Sequence, residues 1–160
     1  MKYLVLDIET SPILGYVWGL WEQNLSQEQV VNDWFVITWS AKWLFEKKIY
    51  EGKVTPKEAK ACNDKRIMSG VWELINEADI IITHNGIRFD LPKLKSKFIE
   101  NGYVPPSKYL NVDTCKQAKS VFGFTYNRLD ELGQKFGIGK KLDMSFVDWK
   151  NCLTNDNSAK

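Results

Sequence analysis

The sequence has few of the residues that build disulfide frameworks and zinc sites. It contains three cysteines and a single histidine in 160 residues. The cysteines are Cys62, Cys115 and Cys152, which are odd in number and not closely spaced, so the sequence predicts neither a disulfide framework nor a zinc site. A reducing cytoplasm is the compartment that we expect for such a chain.

Long apolar runs and strong charge are also lacking. The chain has no apolar run of about 18 residues, and its opening MKYLVLDIET reaches acidic residues too soon for a signal peptide, so we expect a soluble protein that is not exported. The formal net charge of +2 excludes a strongly basic nucleic-acid clamp and leaves any positive surface local. Lysines do cluster, and they are either solvated or phosphate contacts. The clustered lysines are Lys93, Lys95, Lys97, Lys140 and Lys141.

Aromatic residues, in contrast, are abundant. There are seven Trp and eight Phe. We expect most of these rings in the core, with some lining a groove where unpaired bases stack. The length suits a single domain, which we place at residues 1–150, followed by a polar tail at residues 151–160 that lacks periodicity and is expected to fray.

Hydrophobic periodicity predicts an α/β fold. Apolar and β-branched residues predict a first strand at residues 2–8 and an antiparallel meander from segments 15–21, 34–45 and 48–51. Later segments alternate between helix and strand, which favours parallel pairing. The predicted helices are residues 65–78, 89–101, 114–121 and 129–136, and the predicted strands are 79–83 and 111–113. We therefore expect a mixed sheet of about five strands, the first three antiparallel, flanked by helices in three layers.

Two acidic residues lie close together in the first predicted strand. Asp7 and Glu9 are two residues apart, so both side chains project from the same face. Neighbouring carboxylates repel, and a divalent cation offsets that repulsion. Oxygen ligands without nearby His or Cys favour Mg²⁺ or Mn²⁺ over zinc. The pattern alone also fits carboxylates that cap a turn at the strand end.

A second group of polar residues follows the buried strand at residues 79–83. The segment HNGIRFD places Asp90 at the start of a helix, where it is either a functional ligand or a simple N-cap before Pro92. The turn at His84, Asn85 and Gly86 lies at the carboxyl end of a strand, where open α/β sheets usually place ligands. A lone histidine, taken by itself, is more often structural.

These two motifs resemble a known superfamily. DIET, from Asp7 to Thr10, and HNGIRFD, from His84 to Asp90, are similar to the first and second exonuclease motifs of the DEDD superfamily, which includes polymerase proofreading domains. The chain also resembles predicted ribonuclease-H-like exonucleases of phages and bacteria in its Asp113-Thr114 step and in the segment NRLDELGQKFGIGKK. The resemblance covers nearly all of the chain and implies the ribonuclease-H-like fold.

The resemblance implies a two-metal phosphodiester hydrolase that releases mononucleotides from a 3′ end of single-stranded DNA or RNA. Asp7 would bridge two Mg²⁺ or Mn²⁺ ions, Glu9 would hold the ion near the attacking water, and Asp90 would reach the second ion. Other motif residues would contact the substrate, although Phe89 is equally compatible with the core. These residues are Thr10, His84, Asn85 and Phe89.

The third motif of the superfamily is harder to place. It requires an Asp that follows a Tyr or His by four or five residues. Asp143, Asp148 and Asp156 lack such a partner. Tyr126 and Asp130 have the required spacing, but their segment aligns better with a helix that precedes the final motif. We therefore expect the final motif-bearing helix to be missing.

This gap leaves two further hypotheses open. One is a catalytically incomplete module of the same fold that binds nucleic acid. The other is a ribonuclease-H-like endonuclease or strand-transfer enzyme, which would share the paired carboxylates of the first strand but not HNGxxFD. Digestion of an end-labelled substrate separates all three hypotheses, because an exonuclease shortens the strand from one end and an endonuclease cuts internally.

Overall fold

A computed structural model describes residues 1–140 and 145–154 as a mixed α/β fold. The strands are β1 (Tyr3–Thr10), β2 (Leu14–Gly15), β3 (Val30–Asn32), β4 (Val36–Trp43), β5 (Ile49–Lys53), β6 (Ile80–Thr83) and β7 (Leu110–Asp113). The helices are α1 (Pro56–Lys60), α2 (Lys65–Glu77), α3 (Asp90–Glu100), α4 (Thr114–Val121), α5 (Leu129–Lys135) and α6 (Phe146–Thr154), with a 3₁₀ turn at Gln27–Gln29. No helix in these two ranges is long and apolar enough to cross a membrane.

Five strands form one mixed sheet in the order β5-β4-β1-β6-β7. Strand β1 pairs antiparallel with β4, which pairs antiparallel with β5, and β1 pairs parallel with β6, which pairs parallel with β7. The predicted five-stranded sheet with an antiparallel part and a parallel part is confirmed. Because β1, β6 and β7 run in the same direction, their carboxyl ends meet at one edge of the sheet.

The aromatic segment at residues 15–21 does not join this sheet, contrary to the prediction. Only Gly15 belongs to a strand there, and β2 pairs with β3 in a separate two-stranded ribbon. Trp18 and Trp21 are 98% and 83% exposed. High β-propensity did not suffice, because propensity is realised only where a neighbouring strand and a buried face are available.

The core lies between one face of the sheet and the helices α2 and α3. Leu4, Leu6 and Ile8 alternate along β1 as buried residues, as expected for a strand with one buried face. The helices contribute buried residues at helical spacing. These are Ile67, Met68, Val71, Leu74 and Ile75 from α2, and Leu91, Leu94 and Phe98 from α3.

The expectation that most Trp and Phe rings lie in the core is wrong. Phe35, Trp39 and Phe98 are buried. Seven others are exposed, namely Trp18, Trp21, Phe45, Phe89, Phe122, Phe136 and Phe146. The exposed rings of Phe122 and Phe136 contact each other, and both contact the half-buried ring of Phe124. Aromatic abundance therefore reflects surface clusters as much as core packing.

The predicted helix of residues 129–136 corresponds to α5, and a further helix, α6, follows it. Helix α6 begins at Phe146 and ends at Thr154, and the division into a domain at residues 1–150 and a polar tail at 151–160 stays a prediction. In α6, Asp148 caps the first turn by accepting hydrogen bonds from Ser145. Residues 155–160 and the residues Lys141, Asp143 and Asp156 lie outside the described ranges.

Candidate active site

Strand β1 presents two carboxylates on the face opposite the core. Asp7 and Glu9 alternate with the buried Leu6 and Ile8, and they pair across to Ser40 and Thr38 of β4. The period-two geometry of a strand requires this shared face once Leu6 and Ile8 are buried. Directly after Glu9, an irregularity in the β1–β4 register shifts Thr10, at the carboxyl end of the strand.

Asp90 reaches β1 from the first turn of α3. It is only 3% exposed, and its Oδ1 accepts a hydrogen bond of 3.0 Å from the backbone N–H of Ile8. The parallel partner β6 pairs with β1 only along Tyr3–Val5, so β6 does not reach Ile8. The Asp90 carboxylate therefore takes the place of a strand partner at Ile8, which lies between Asp7 and Glu9.

The three acids interact electrostatically. Burial raises the pKa of Asp90 to about 6, the hydrogen bond from Ile8 opposes that rise, and the charges of Asp7 and Glu9 add to it. A buried carboxyl with two carboxylate neighbours is costly to ionise in the absence of positive charge. The fold thus concentrates negative charge at the carboxyl end of β1.

The donor set fits a hard divalent cation. It consists of carboxylate oxygens, the ligand type preferred by Mg²⁺ and Mn²⁺, and a cation there would offset the repulsion felt by Asp90. Within residues 1–140 and 145–154, however, no group of three or more His, Cys, Asp or Glu side chains converges closely enough to hold one ion. The acids are neighbours without forming a closed coordination cage.

The turn after β6 has a backbone that few residues tolerate. Asn85 has a φ of +66°, in the left-handed region that Asn and Gly adopt most readily. Gly86 is packed so tightly that an added Cβ would lie 2.3 Å from Thr83 Oγ1. These two residues let the chain reverse sharply between β6 and α3, which brings Asp90 back toward β1.

Asp113 holds this turn in place. Its Oδ1 accepts hydrogen bonds of 2.9 Å from the backbone N–H of Asn85 and of 3.0 and 3.1 Å from those of Cys115 and Lys116, while Oδ2 lies 3.3 Å from the N–H of Ile87. One carboxylate thus caps α4 and binds the turn after β6. Burial alone would raise the pKa of Asp113, but these four N–H donors outweigh it and lower the pKa below its ordinary value.

A family model for the RNase_H superfamily matches residues 4–147, which is most of the chain and includes all of these side chains. The chain belongs to the RNase_H superfamily. Among solved structures, it is similar to a family B DNA polymerase from the hyperthermophilic archaeon Pyrobaculum calidifontis, with a TM-score of 0.58 and 19% identity. That match covers 87% of this chain but 18% of the polymerase chain, and at this identity it shows the fold alone. No curated protein matches the chain.

In this RNase_H superfamily chain, His84 connects three segments at the same edge. Its Nδ1 lies 2.9 Å from Thr114 Oγ1, and its Nε2 lies 3.0 Å from the backbone oxygen of Asn127. A carbonyl oxygen can only accept, so Nε2 is the donor of that bond. Both ring nitrogens are engaged within the protein, which assigns His84 to holding α4 and the 122–128 segment against the turn.

The remaining predicted site residues lie at different distances from the acids. Phe89 directly precedes Asp90, is 39% exposed, and so lies at the rim of the acid cluster rather than in the core. Tyr126 is 59% exposed in the segment before α5, and Asp130 lies in the first turn of α5. Neither is among the groups that shift the pKa of Asp90. The structure places Asp7 and Glu9 close enough to Asp90 for their charges to raise its pKa, and the assignment of Tyr126 and Asp130 to the third motif stays a prediction.

A cavity of about 680 Å³ lies elsewhere on this RNase_H superfamily fold. Its lining includes Asp79, Tyr109 and Leu110, at the amino ends of β6 and β7. The acid cluster lies at the carboxyl ends of the parallel strands, where chemistry is usually found in α/β sheets. Chemistry and position therefore favour the acid cluster over the cavity as the candidate site.

Proposed function

We propose that this protein is a metal-dependent 3′–5′ exonuclease that hydrolyses phosphodiester bonds at the 3′ end of single-stranded nucleic acid. The observation that carries the proposal is the burial of Asp90 against β1 beside Asp7 and Glu9, in a chain of the RNase_H superfamily. The direction of hydrolysis rests on the resemblance of DIET and HNGIRFD to the exonuclease motifs. The structural similarity to a DNA polymerase supports a nucleic-acid strand as the substrate.

In this proposal, Asp7, Glu9 and Asp90 would hold two divalent cations, Mg²⁺ or Mn²⁺. Such ions make hydroxide available at neutral pH and stabilise the charge on the attacking and leaving oxygens of an in-line displacement. The protein orients the ligands. Asp7 and Glu9 are fixed on one face by strand pairing, and the N–H of Ile8 orients the Asp90 carboxylate.

Neighbouring side chains are positioned to bind the end of the strand. The exposed ring of Phe89 offers a surface on which a base can stack, and Asn85 is exposed in the turn that precedes α3. Thr10 lies at the carboxyl end of β1, next to Glu9, within reach of a terminal nucleotide held at the acids. His84 would act indirectly, by holding the turn that carries Asn85.

A second candidate function is a nucleic-acid-binding module without catalysis. It is favoured by the lack, within the described ranges, of a fourth acid that joins Asp7, Glu9 and Asp90 and follows a Tyr or His at the required spacing. A positioned general base typically contributes about 10²–10⁴-fold to a rate. A chain without that base would therefore retain the binding surface and lose most of the activity.

The test is degradation of 5′-labelled single-stranded DNA and of a matching RNA, with Mg²⁺ or Mn²⁺. The unmodified chain should shorten the substrate progressively from its 3′ end, and Asp7→Asn should abolish the shortening. Asp148→Asn is a matched control, because it removes the same charge from the cap of α6. Internal cuts would instead indicate an endonuclease, and binding without any cleavage would indicate the binding module.

A further inference from the structure

Lys93 lies between two aromatic rings beside the acid cluster. Its Nζ is 3.6 Å from the ring centroid of Trp34 and 5.2 Å from that of Phe89. The side chain is half-buried, and Trp34 is partly buried against the core. Contacts of this kind hold a lysine in one orientation and attract its positive charge to the ring faces.

These three residues lie at the same edge of the sheet as the acids. Phe89 and Lys93 are four residues apart at the start of α3 and flank Asp90, so they lie on the same side of that turn. Trp34 precedes Phe35, whose N–H donates to Ser11 Oγ at 3.0 Å just beyond the carboxyl end of β1. The cluster Trp34–Phe89–Lys93 is therefore a continuation of the candidate active site.

The three lysines of α3 have different surroundings. Lys97 is buried and also lies over Trp34, 4.6 Å from its ring centroid, but it forms an ion pair of 2.7 Å with Glu100. Lys95 lies on another side of the helix, 6.0 Å from the ring centroid of Tyr109. In the part of the chain that the structure describes, Lys93 has no carboxylate within ion-pair distance. Burial lowers the pKa of Lys93, and the charge of Asp33 opposes that effect from a longer range.

We propose that Lys93, together with Trp34 and Phe89, binds a backbone phosphate of the single strand whose 3′ end lies at Asp7, Glu9 and Asp90. This inference rests on the proposed function and adds the path of the strand. An ammonium group with three donors and no close anion attracts a phosphate, and the flanking rings provide faces for the adjacent sugar and base. The acids themselves repel phosphate, so a nearby cation is also needed to hold the strand against them.

The test measures the binding of a labelled single-stranded DNA without divalent metal, at salt concentrations from about 50 to about 200 mM. Removing one phosphate-binding cation reduces the slope of log affinity against log salt by about 0.7 for a single strand. Lys93→Gln should show that reduction, and Lys93→Arg should keep the original slope. Lys95→Gln removes the same charge from the same helix and should leave the slope unchanged.

A second measurement needs no variant. In the unmodified chain, single-stranded DNA should protect Lys93 from acetylation by an amine-reactive reagent, as measured by mass spectrometry, while Lys95 remains reactive. Equal slopes for Lys93→Gln and the unmodified chain, or equal acetylation of Lys93 with and without DNA, would overturn the inference.

Parallel degradation assays with Mg²⁺ distinguish the failure of this inference from failure of the proposed function. If the unmodified chain shortens the strand but Lys93→Gln leaves the salt slope unchanged, the inference fails and the exonuclease stands. If the chain neither binds nor shortens the strand, both fail. If it binds without cleavage and Lys93→Gln lowers the slope, the phosphate site stands and the exonuclease does not.

Discussion

Asp90 and Asp113 are buried aspartates in two neighbouring regions of the same sheet edge, and their pKa values move in opposite directions. Asp90 is 3% exposed and Asp113 is 6% exposed. Burial raises the pKa of Asp90 to about 6, and the charges of Asp7 and Glu9 add to the rise, while hydrogen bonds from the backbone N–H groups of Ile8 and of Asp90 itself only partly oppose it. Burial also acts on Asp113, but four backbone N–H groups lower its pKa overall.

The difference shows that burial alone does not determine the role of a carboxylate. Asp113 has its charge balanced by backbone donors, so it is a scaffold that ties the turn after β6 to α4. Asp90 is left with an excess of negative charge around it, as is common for groups that bind cations or take part in catalysis. Asp113 therefore stabilises the turn that carries Asp90 to β1.

The largest expected difference between the two aspartates is in catalysis. Asp90→Asn should lower the rate of strand degradation about 10³-fold, because a bound cation contributes several kcal/mol to the transition state and about 1.4 kcal/mol is a factor of ten. Asp113→Asn should lower the rate by about tenfold or less, since it touches the site only through the turn. Rates measured on one 5′-labelled strand check this, and equal reductions would remove the distinction.

The next largest effect is on stability without divalent metal. The folded state holds the Asp90 proton more tightly than the unfolded chain does, so its stability falls as the pH rises from about 4 to about 6. Asp90→Asn keeps an oxygen that accepts the hydrogen bond from Ile8, and because an amide does not ionise, the stability of this variant does not fall in that way as the pH rises. It should therefore unfold less easily than the unmodified chain at pH 8, by up to about 3 kcal/mol, and show little difference at pH 4. Urea unfolding with a chelator present measures this, and a less stable variant at pH 8 would contradict it.

The smallest of the three expected effects is on the stability of Asp113→Asn, which should be less stable than the unmodified chain, whereas Asp90→Asn should be more stable. The lowered pKa of Asp113 means that its stabilisation is present above the ordinary aspartate pKa and is lost as the pH falls through the folded value. Asp113→Asn should cost about 1–2 kcal/mol at pH 7, because an amide NH₂ replaces Oδ2 opposite the N–H of Ile87.

Urea unfolding at pH 7 and near pH 3 checks this prediction, since the cost should shrink at the lower pH. Asp113→Ser is a useful companion, because a serine can still cap α4 but is too short to bind the turn. If both variants are as stable as the unmodified chain at pH 7, Asp113 does not clamp the turn.

Much of the fold could be predicted from local pattern. The apolar and β-branched run of residues 2–8 and the helical spacing of residues 65–78 predicted β1 and α2. The predicted helices 89–101 and 129–136 correspond to α3 and α5, and each is followed directly by a glycine, Gly102 or Gly137. The positive φ angles of +79° at Gly102 and +67° at Gly137 are the left-handed turns that favour glycine at helix ends. These signals are short-range, so a single sequence contains them.

The aromatic residues could not be placed in the same way. Residues 15–21 and 36–43 are both rich in aromatic and β-branched residues, but only the second segment pairs within the five-stranded sheet, where it lies next to β1. Similarly, nothing in the sequence connects Trp34 with Lys93. Pairing of distant segments depends on the packing of the whole chain, which local propensity does not encode.

The features of the candidate site also fall into two groups, those that the local pattern predicts and those that depend on contacts between distant segments. The sequence alone determined that Asp7 and Glu9 share a face, because the period of a strand is two, and that Asp90 begins a helix after a sharp turn. Only the tertiary structure decided that Asp90 replaces a strand partner at Ile8, that Asp113 binds the turn, and that Lys93 lies between Trp34 and Phe89. The physical reason is that the energy of a charge depends on the groups that surround it in space, and burial and long-range hydrogen bonds exist only once the chain has folded.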